Sequence, residues 1–516
     1  MAGAHNFEHL PLVLTSQGAA VLHGGGSYAP QTVANRNNRQ AHSNQLSTSA
    51  QFLTNSWRTR QADRIAHQLP LIPEGMPILL QVDPGFDIDE LRARFEFEIV
   101  AEQDEGYVIV AAQDIDLASF VQMANDFAGA VRGATSVASV YRLFDDPGQT
   151  DRLQRILSER LAAQWNTIAD NQTFIVDVGI ACSGTVEIPS MPRRGKRDDD
   201  ASWAAKELVW SQARSEAYDA WDAIKLEREH QIMEFADFYN AEILRMVDGA
   251  DFTAGVLPDS FTVRLRINGK GFKDIVHNYP YIFEVLEPED IFLPQGAAAN
   301  AGTSPSVAPI APANEAPAVC VVDSGIQEGH YLLQAAIDQA VSRCFLPGTA
   351  PNDVADNVPP GGHGTRVAGA ILFGEEVPKE GEPQLPFWIQ NARVLNDQNR
   401  MPVELFPPEV LRSAVEHFND GPRQTRVFNH SINAHGYCRT QYMSAWAAEI
   451  DQLCNERDVL IIQSTGNIPV EGPVPFLGVH DHLAAGRDYP TYLTEPSARV
   501  ANPAQSLQAL TVGSIA

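Results

Sequence analysis

Cysteine is scarce. The 516 residues hold five, Cys182, Cys320, Cys344, Cys438 and Cys454. An odd, sparse set without CxxC spacing excludes a disulfide framework and a zinc module as the organising feature. The five read as small buried hydrophobes in a reducing compartment. Positive charge is also in deficit, with 37 Lys and Arg against 65 Asp and Glu and a formal net charge of −28. That balance argues against non-specific binding to nucleic acid or to an anionic membrane. No stretch approaches the roughly 18 consecutive apolar residues that a membrane-spanning helix needs. The first residues, MAGAHNFEHLPLVLTSQG, carry no basic segment and put His and Glu where a secretory signal has its apolar core. There is no G-x-S-x-G elbow and no phosphate-cradling Gly loop opening a helix. The expectation is a soluble cytoplasmic protein.

What is present is ordinary globular material, 44% hydrophobic and 20% charged, long enough for about two to four domains. Residues 1–70, rich in Gln, Asn, Ser and His, read as an extended or partly disordered arm. Residues 71–148 read as a ferredoxin-like α+β domain. Its strands are 77–82, 97–101, 107–111 and 137–144, with helices at 86–95 and 116–127, in the order β-α-β-β-α-β. Residues 149–294 read as a second α+β domain, with strands at 173–181, 261–267 and 281–285 and a short helix at 272–278. Within it, Ala201 to Asp248 contains no Gly or Pro. Trp210, Ala217, Trp221, Ile224, Ile232, Phe235, Tyr239, Ile243 and Met246 recur there mostly at three- or four-residue steps. This predicts one long amphipathic helix of roughly 70 Å, stopped at Gly249. Its aromatic stripe fits a core face or a partner-docking face. The charged run Arg193-Arg194-Gly195-Lys196-Arg197 reads as a solvated turn, and residues 295–317 as an Ala/Pro linker. From 318 to 516, strands alternate with helices, the pattern of a doubly wound parallel sheet.

The chemistry concentrates after the linker. The apolar run Ala318 to Val322 ends on Asp323-Ser324-Gly325, so a carboxylate stands at the end of a buried strand. His363 lies in Gly361-Gly362-His363-Gly364-Thr365-Arg366-Val367-Ala368-Gly369, a histidine between glycines at the start of a small-residue helix. An Asp that accepts the Nδ1 proton of a His, fixing its tautomer and stabilising the imidazolium, is two thirds of a charge relay. Val427 to Asn433 is a strand ending in small polar residues. As an edge segment, Ser431, Ile432 and Asn433 would bind substrate backbone by strand addition. The buried strand Val459 to Gln463 leads to Ser464, Thr465, Gly466 and Asn467, whose amide would donate to a developing oxyanion.

Taken together these segments resemble the subtilisin-like serine proteases (subtilases). The resemblance rests on Asp323-Ser324-Gly325, on His363-Gly364-Thr365 through Val367-Ala368-Gly369 and on Gly466-Asn467, in that family's order. Pro490 and Leu510 to Gly513 resemble its later strands. It covers residues 318–516 and implies a serine-type endopeptidase acting on peptide or protein substrates. Asp323 and His363 would be catalytic, Asn467 would hold the oxyanion, and Ser431 to Asn433 with Ser464 to Gly466 would bind substrate. The family usually has Gly at the position of Asn433 and alanines at those of Ser464 and Thr465. The layout also resembles large bacterial intracellular subtilases, which implies an AAA-type ATPase as a partner. No cofactor is implied beyond an optional calcium ion, and acid pairs such as Asp353 and Asp356 suit solvated loops equally well. Residues 77–145 resemble a subtilase propeptide.

The family's nucleophile, in Gly-Thr-Ser-x-Ala-x-Pro, has no counterpart after Asn467, where the serines are Ser497, Ser506 and Ser514. Gly302-Thr303-Ser304 imitates the signature but precedes Asp323, in the linker. The resemblance therefore places the serine beyond residue 516. The competing expectation is a catalytically inactive pseudo-protease that binds peptides as a regulatory scaffold.

Overall fold

The computed structural model describes residues 29–513 except 71, 72, 74, 147, 197, 247–253, 294–305, 359–361, 375, 440, 441, 469 and 472–476. Contacts divide the chain into two compact units. One lies within Ala20–Leu244 and Gly249–Pro288, the other within Arg245–Asp248 and Glu289–Ala516.

The first unit opens with two helices, α1 (Pro30–Asn37) and α2 (Arg39–Ala66). Residues 30–66, expected as part of an extended arm, are thus helical. The reason is in the spacing. Between Pro30 and Pro70 there is neither Gly nor Pro, and Leu46, Ala50, Leu53 and Trp57 recur at three- and four-residue steps under a polar composition. Leu46, Ala50 and Trp57 are buried, with Leu53 packed beside them. They cover a four-stranded antiparallel sheet made of β1 (Met76–Val82), β2 (Phe97–Glu102), β3 (Tyr107–Ala112) and β4 (Val140–Leu143). Helices α3 (Asp89–Phe95) and α4 (Ala118–Ala128) connect the strands, and the order β2-β3-β1-β4 is that of a split β-α-β-β-α-β unit.

The same unit continues through α5 (Thr150–Ile156), α6 (Glu159–Gln164), β5 (Thr173–Ala181), α7 (Asp200–Phe238), β6 (Glu242–Ile243), β7 (Val256–Leu257), β8 (Ser260–Asn268), α8 (Gly269–Asn278) and β9 (Ile282–Leu286). The five strands form an antiparallel sheet in the order β6-β8-β5-β9, with β7 also on β8. The predicted long helix exists but ends about ten residues early, giving roughly 58 Å at ~1.5 Å per residue. Asn240 takes a left-handed φ of 50°, and Glu242 and Ile243 then pair with Arg266 and Leu265 of β8. Sheet pairing overrides the helical periodicity there. Gly249, the expected stop, lies outside the described residues. Of the stripe, Ala217, Ile232, Phe235 and Tyr239 are buried as core. Trp210 and Trp221 lie half-buried and donate their indole N–H groups to Pro189 O and Val186 O, at 2.8 and 2.9 Å.

The second unit begins with β10 (Ser306–Val307), β11 (Ala318–Asp323), β12 (Arg343–Cys344), α9 (His363–Phe373), β13 (Glu380–Gly381) and β14 (Trp388–Arg393). It continues with α10 (Pro407–Asn419), β15 (Val427–His430), α11 (Ala445–Arg457), β16 (Leu460–Ser464), α12 (Val479–Ala484) and β17 (Leu510–Val512). Part of the expected linker is not free chain: β10 pairs in parallel with β13, and Ile310 bridges to Gln384. Residues 294–305, Ser304 among them, lie outside the described residues. The main sheet has six parallel strands in the order β12-β14-β11-β15-β16-β17. Strand β11 alternates between two cores, which is why it reads as an unbroken apolar run. Cys320 and Val322 join Phe428, Ile461, Val410 and Ile450 on one face. Val321 joins Ile389, Ala368 and Leu372 on the other. Asp323 is thereby fixed at the carboxyl end of a strand buried at every position but Val319.

Candidate active site

Asp323 is completely buried, and its Oδ2 lies 2.8 Å from His363 Nδ1. A carboxylate can only accept, so Nδ1 carries the proton and donates, and Nε2 keeps its lone pair. The other carboxylate oxygen accepts from the Ser324 backbone N–H at 2.7 Å. The imidazole remains partly open, with 32% of its side-chain surface exposed. Helix α9 reaches this position because Gly364 lets it approach the turn after β11. A Cβ on Gly364 would lie 2.3 Å from Gly325 O and 3.1 Å from Asp323 Cβ. Ser324 Oγ accepts from Gly364 N at 3.1 Å and ties the two segments together.

Burial alone would lower the pKa of His363. The hydrogen bond to Asp323, the charge of Asp323 and that of Asp356 outweigh burial and an opposing contribution from Arg366, so the pKa is raised above 6.5. Asp356 is 2% exposed, contrary to the reading of this acid as a solvated loop residue. Its Oδ2 accepts from Thr365 N and Oγ1 at 3.2 and 3.0 Å. Asp353 instead pairs at the surface with Arg393 at 3.0 Å. Among the described residues no group of three or more His, Cys, Asp or Glu is placed to hold a metal ion.

The register carries the rest of the rim. Val322 lies opposite His430 and His430 opposite Gln463. Asp323, Ser431 and Ser464 therefore form one row at the carboxyl edge, with β16 about 10 Å from β11 at ~4.8 Å per strand. Strand β15 is flanked by β11 and β16 on both sides, so the expected edge segment is an interior strand. Only the residues past His430 leave the ladder. Ser431 Oγ donates to Asn429 Oδ1 at 2.6 Å. The Ile432 side chain belongs to the core. Asn433 is 7% exposed, and its amide donates to Ser464 O at 2.8 Å. It thus joins the ends of β15 and β16. Ser464 Oγ accepts from Gly466 N at 3.1 Å, and Thr465 N donates to Val512 O at 2.9 Å. Asn467 is exposed, three residues past the end of β16, with no hydrogen-bond partner among the described residues.

Two of the other histidines in this unit, His430 and His482, contact side chains in ways that bear on the chemistry. His430 is buried beneath the rim, its Nδ1 2.5 Å from Gln463 Oε1, and burial lowers its pKa to about 4. His482 Nε2 lies 2.8 Å from Ser497 Oγ, a contact that imitates a base and its nucleophile. Arg487 Nε donates to His482 Nδ1 at 3.2 Å, so Nε2 must carry the proton and donate to Ser497. This histidine cannot take a proton from that serine. Among the described residues no serine is hydrogen-bonded to His363. Sequence reasoning named Asp356 without its place beside the relay, and missed the role of Ser324. The available signal was an acid seven residues before His363, ahead of the glycines at the helix start.

Residues 314–516 match the family described as Subtilase family, Peptidase_S8. Among curated proteins, an uncharacterized protein, y4bN, of Sinorhizobium fredii is 40% identical over 74 residues, 14% of this chain. The chain spans 16% of that relative's length. Two crystal structures of the epidermin leader peptide processing serine protease EpiP of Staphylococcus aureus are 14% identical. One, of a mutant, covers 55% of this chain and 68% of its own at a TM-score of 0.33. The other covers 66% and 69% at a TM-score of 0.32.

Proposed function

Starting from residues 314–516 as a subtilase-family domain, we propose that this protein is a serine endopeptidase whose relay is Asp323 and His363. The observation that carries the reading is the 2.8 Å contact between a fully buried carboxylate and an imidazole 40 residues away in sequence. The nucleophile is a serine supplied outside the described residues. His363 Nε2 takes the proton of that serine as its oxygen bonds to the scissile carbonyl carbon. The carbonyl oxygen becomes an anion, which the Asn467 side chain receives. The C–N bond then breaks as His363 returns the proton to the leaving amine, and water repeats the sequence on the acyl-enzyme. Asp323 remains ionised and holds the tautomer throughout. The substrate is a peptide chain laid past Ser431 to Asn433 and Ser464 to Gly466. Ser431, Ser464 and Thr465 present hydroxyls, and Asn433 acts by fixing the shape of the groove rather than by lining it.

Labelling of the full-length protein by a fluorophosphonate probe tests this. The expected result is covalent labelling that is lost in His363→Ala while the fold is kept. Folded protein that takes up no probe would overturn the enzyme reading and leave a peptide-binding scaffold.

A further inference from the structure

The relay carries a second buried carboxylate with no place in the reaction just described. Asp356 lies on the loop that leads into α9, seven residues before His363, and is 2% exposed. It holds the start of the helix from outside the helix. Its Oδ2 accepts both the backbone N–H and the hydroxyl of Thr365, donors in the first turn, where helices leave N–H groups unsatisfied. Thr365 Oγ1 also accepts from Gln327 N at 3.0 Å, and Gln327 Nε2 donates to Asp356 O. The loop, the turn after β11 and the first turn of α9 are thus closed into one ring of bonds. Gly362 lies against this carboxylate so closely that a Cβ there would sit 1.5 Å from Asp356 Oδ2. The residue immediately before His363 therefore has room only for hydrogen.

We propose that Asp356 is a positioning residue for the relay. Its carboxylate clamps the first turn of α9, so that the His363 ring is held on Asp323, and it adds a second negative charge to the surroundings of the ring. The charged and titratable groups around the imidazole are Asp323 on β11, Asp356 on the loop and Arg366 on α9 itself, with His430 on β15 beyond Asp323. Arg366 opposes the two carboxylates, and His430 is neutral near pH 7. Asp356 favours the imidazolium through charge, and its own carboxyl is held above the usual range by burial and by Asp323. The inference deepens the endopeptidase reading and rests on it for its purpose, but its test requires no turnover.

The test is an NMR titration of the His363 ring in the full 516-residue chain with labelled histidine. Asp356→Asn keeps an acceptor for Thr365 and removes the charge. The expected result is a downward shift of the His363 midpoint, with no shift in Asp353→Asn, whose carboxylate is at the surface. Thr365→Val, which removes the hydroxyl from the ring of bonds, is expected to weaken or broaden the low-field Nδ1–H signal of the His363–Asp323 bond. An unchanged midpoint in folded Asp356→Asn overturns the proposal. If that variant does not fold, an unchanged low-field signal in Thr365→Val overturns it instead. Absence of fluorophosphonate labelling together with a shifted midpoint would sink the peptidase reading and leave this inference standing. Labelling with an unmoved midpoint would do the reverse.

Discussion

At the scale of single residues, the chemistry of the rim follows from what each atom can donate or accept. Asp323 accepts and His363 Nδ1 donates, so the free Nε2 is a base. Asp323→Asn puts an amide where the imidazole needs an acceptor and favours the wrong tautomer. On the proposed peptidase reading it should lower kcat by about 10⁴, read by steady-state hydrolysis of a peptide substrate. Asn467→Ala should lower kcat by about 10²–10³ with little change in KM. A loss confined to KM would place Asn467 in substrate binding. Because the His363 pKa is raised, the acid limb of kcat/KM should have its midpoint above pH 6.5. The sign for stability is the opposite. The protonated form is favoured by folding, so that contribution is complete below pH 6.5 and is lost as pH rises through the folded-state pKa.

At the scale of elements, the two sheets illustrate how context decides what a residue does. Strand β2 of the antiparallel sheet carries Glu98, which is fully buried and receives both terminal nitrogens of Arg228 from α7 at 2.7 Å. Glu98 also accepts from Gly184 N at 3.0 Å, so one carboxylate links β2, α7 and the segment after β5. Glu98→Gln leaves a buried guanidinium without its counter-charge and should destabilise the fold by about 3–5 kcal/mol, measured by urea unfolding. A loss below about 1 kcal/mol would show that water reaches Arg228. Within the parallel sheet, α9 can approach β11 only because position 364 has no side chain. Gly364→Ala should therefore cost stability and uncouple His363 from Asp323 together.

At the scale of the whole molecule, acid should be destabilising through buried histidines in both units. His430 and His277 are held neutral, each with its pKa lowered to about 4, by burial and, for His277, also by Arg60 and Arg152. Their unfolded-state value is near 6.5, so the unfolded chain binds the extra protons first. Stability is complete above pH 6.5 and falls as pH drops from 6.5 towards 4, by about 3 kcal/mol for fully buried His430. His430→Gln should flatten that window in a thermal melt series. If the slope between pH 6.5 and 4 is unchanged in the variant, His430 is not the group responsible. Burial also sets thiol reactivity. It pushes Cys182 up to about 12 and raises Cys320 well above 9, so thiol reagents should reach the partly exposed Cys438 and Cys454 first.

Neighbouring residues suffice for the parts whose information is local. The run Ala318 to Asp323 is apolar because both faces of β11 are covered, and the glycines around His363 declare a helix start pressed against backbone. The β-α-β-β-α-β order of residues 76–143 was legible for the same reason, since each strand and turn carries its own period. Tertiary structure alone decided the rest. Polar composition hid the helices at 30–66, whose stripe matters only once a sheet lies against it. Pairing with β8 ended α7 ahead of its own periodicity. Asp353 and Asp356 look alike in sequence, yet one meets Arg393 at the surface and the other closes under α9, because burial and distance belong to the folded chain. The meeting of Asp323 with His363 across 40 residues is of that second kind: adjacent strands and a close helix bring the two together, and no local pattern encodes the contact.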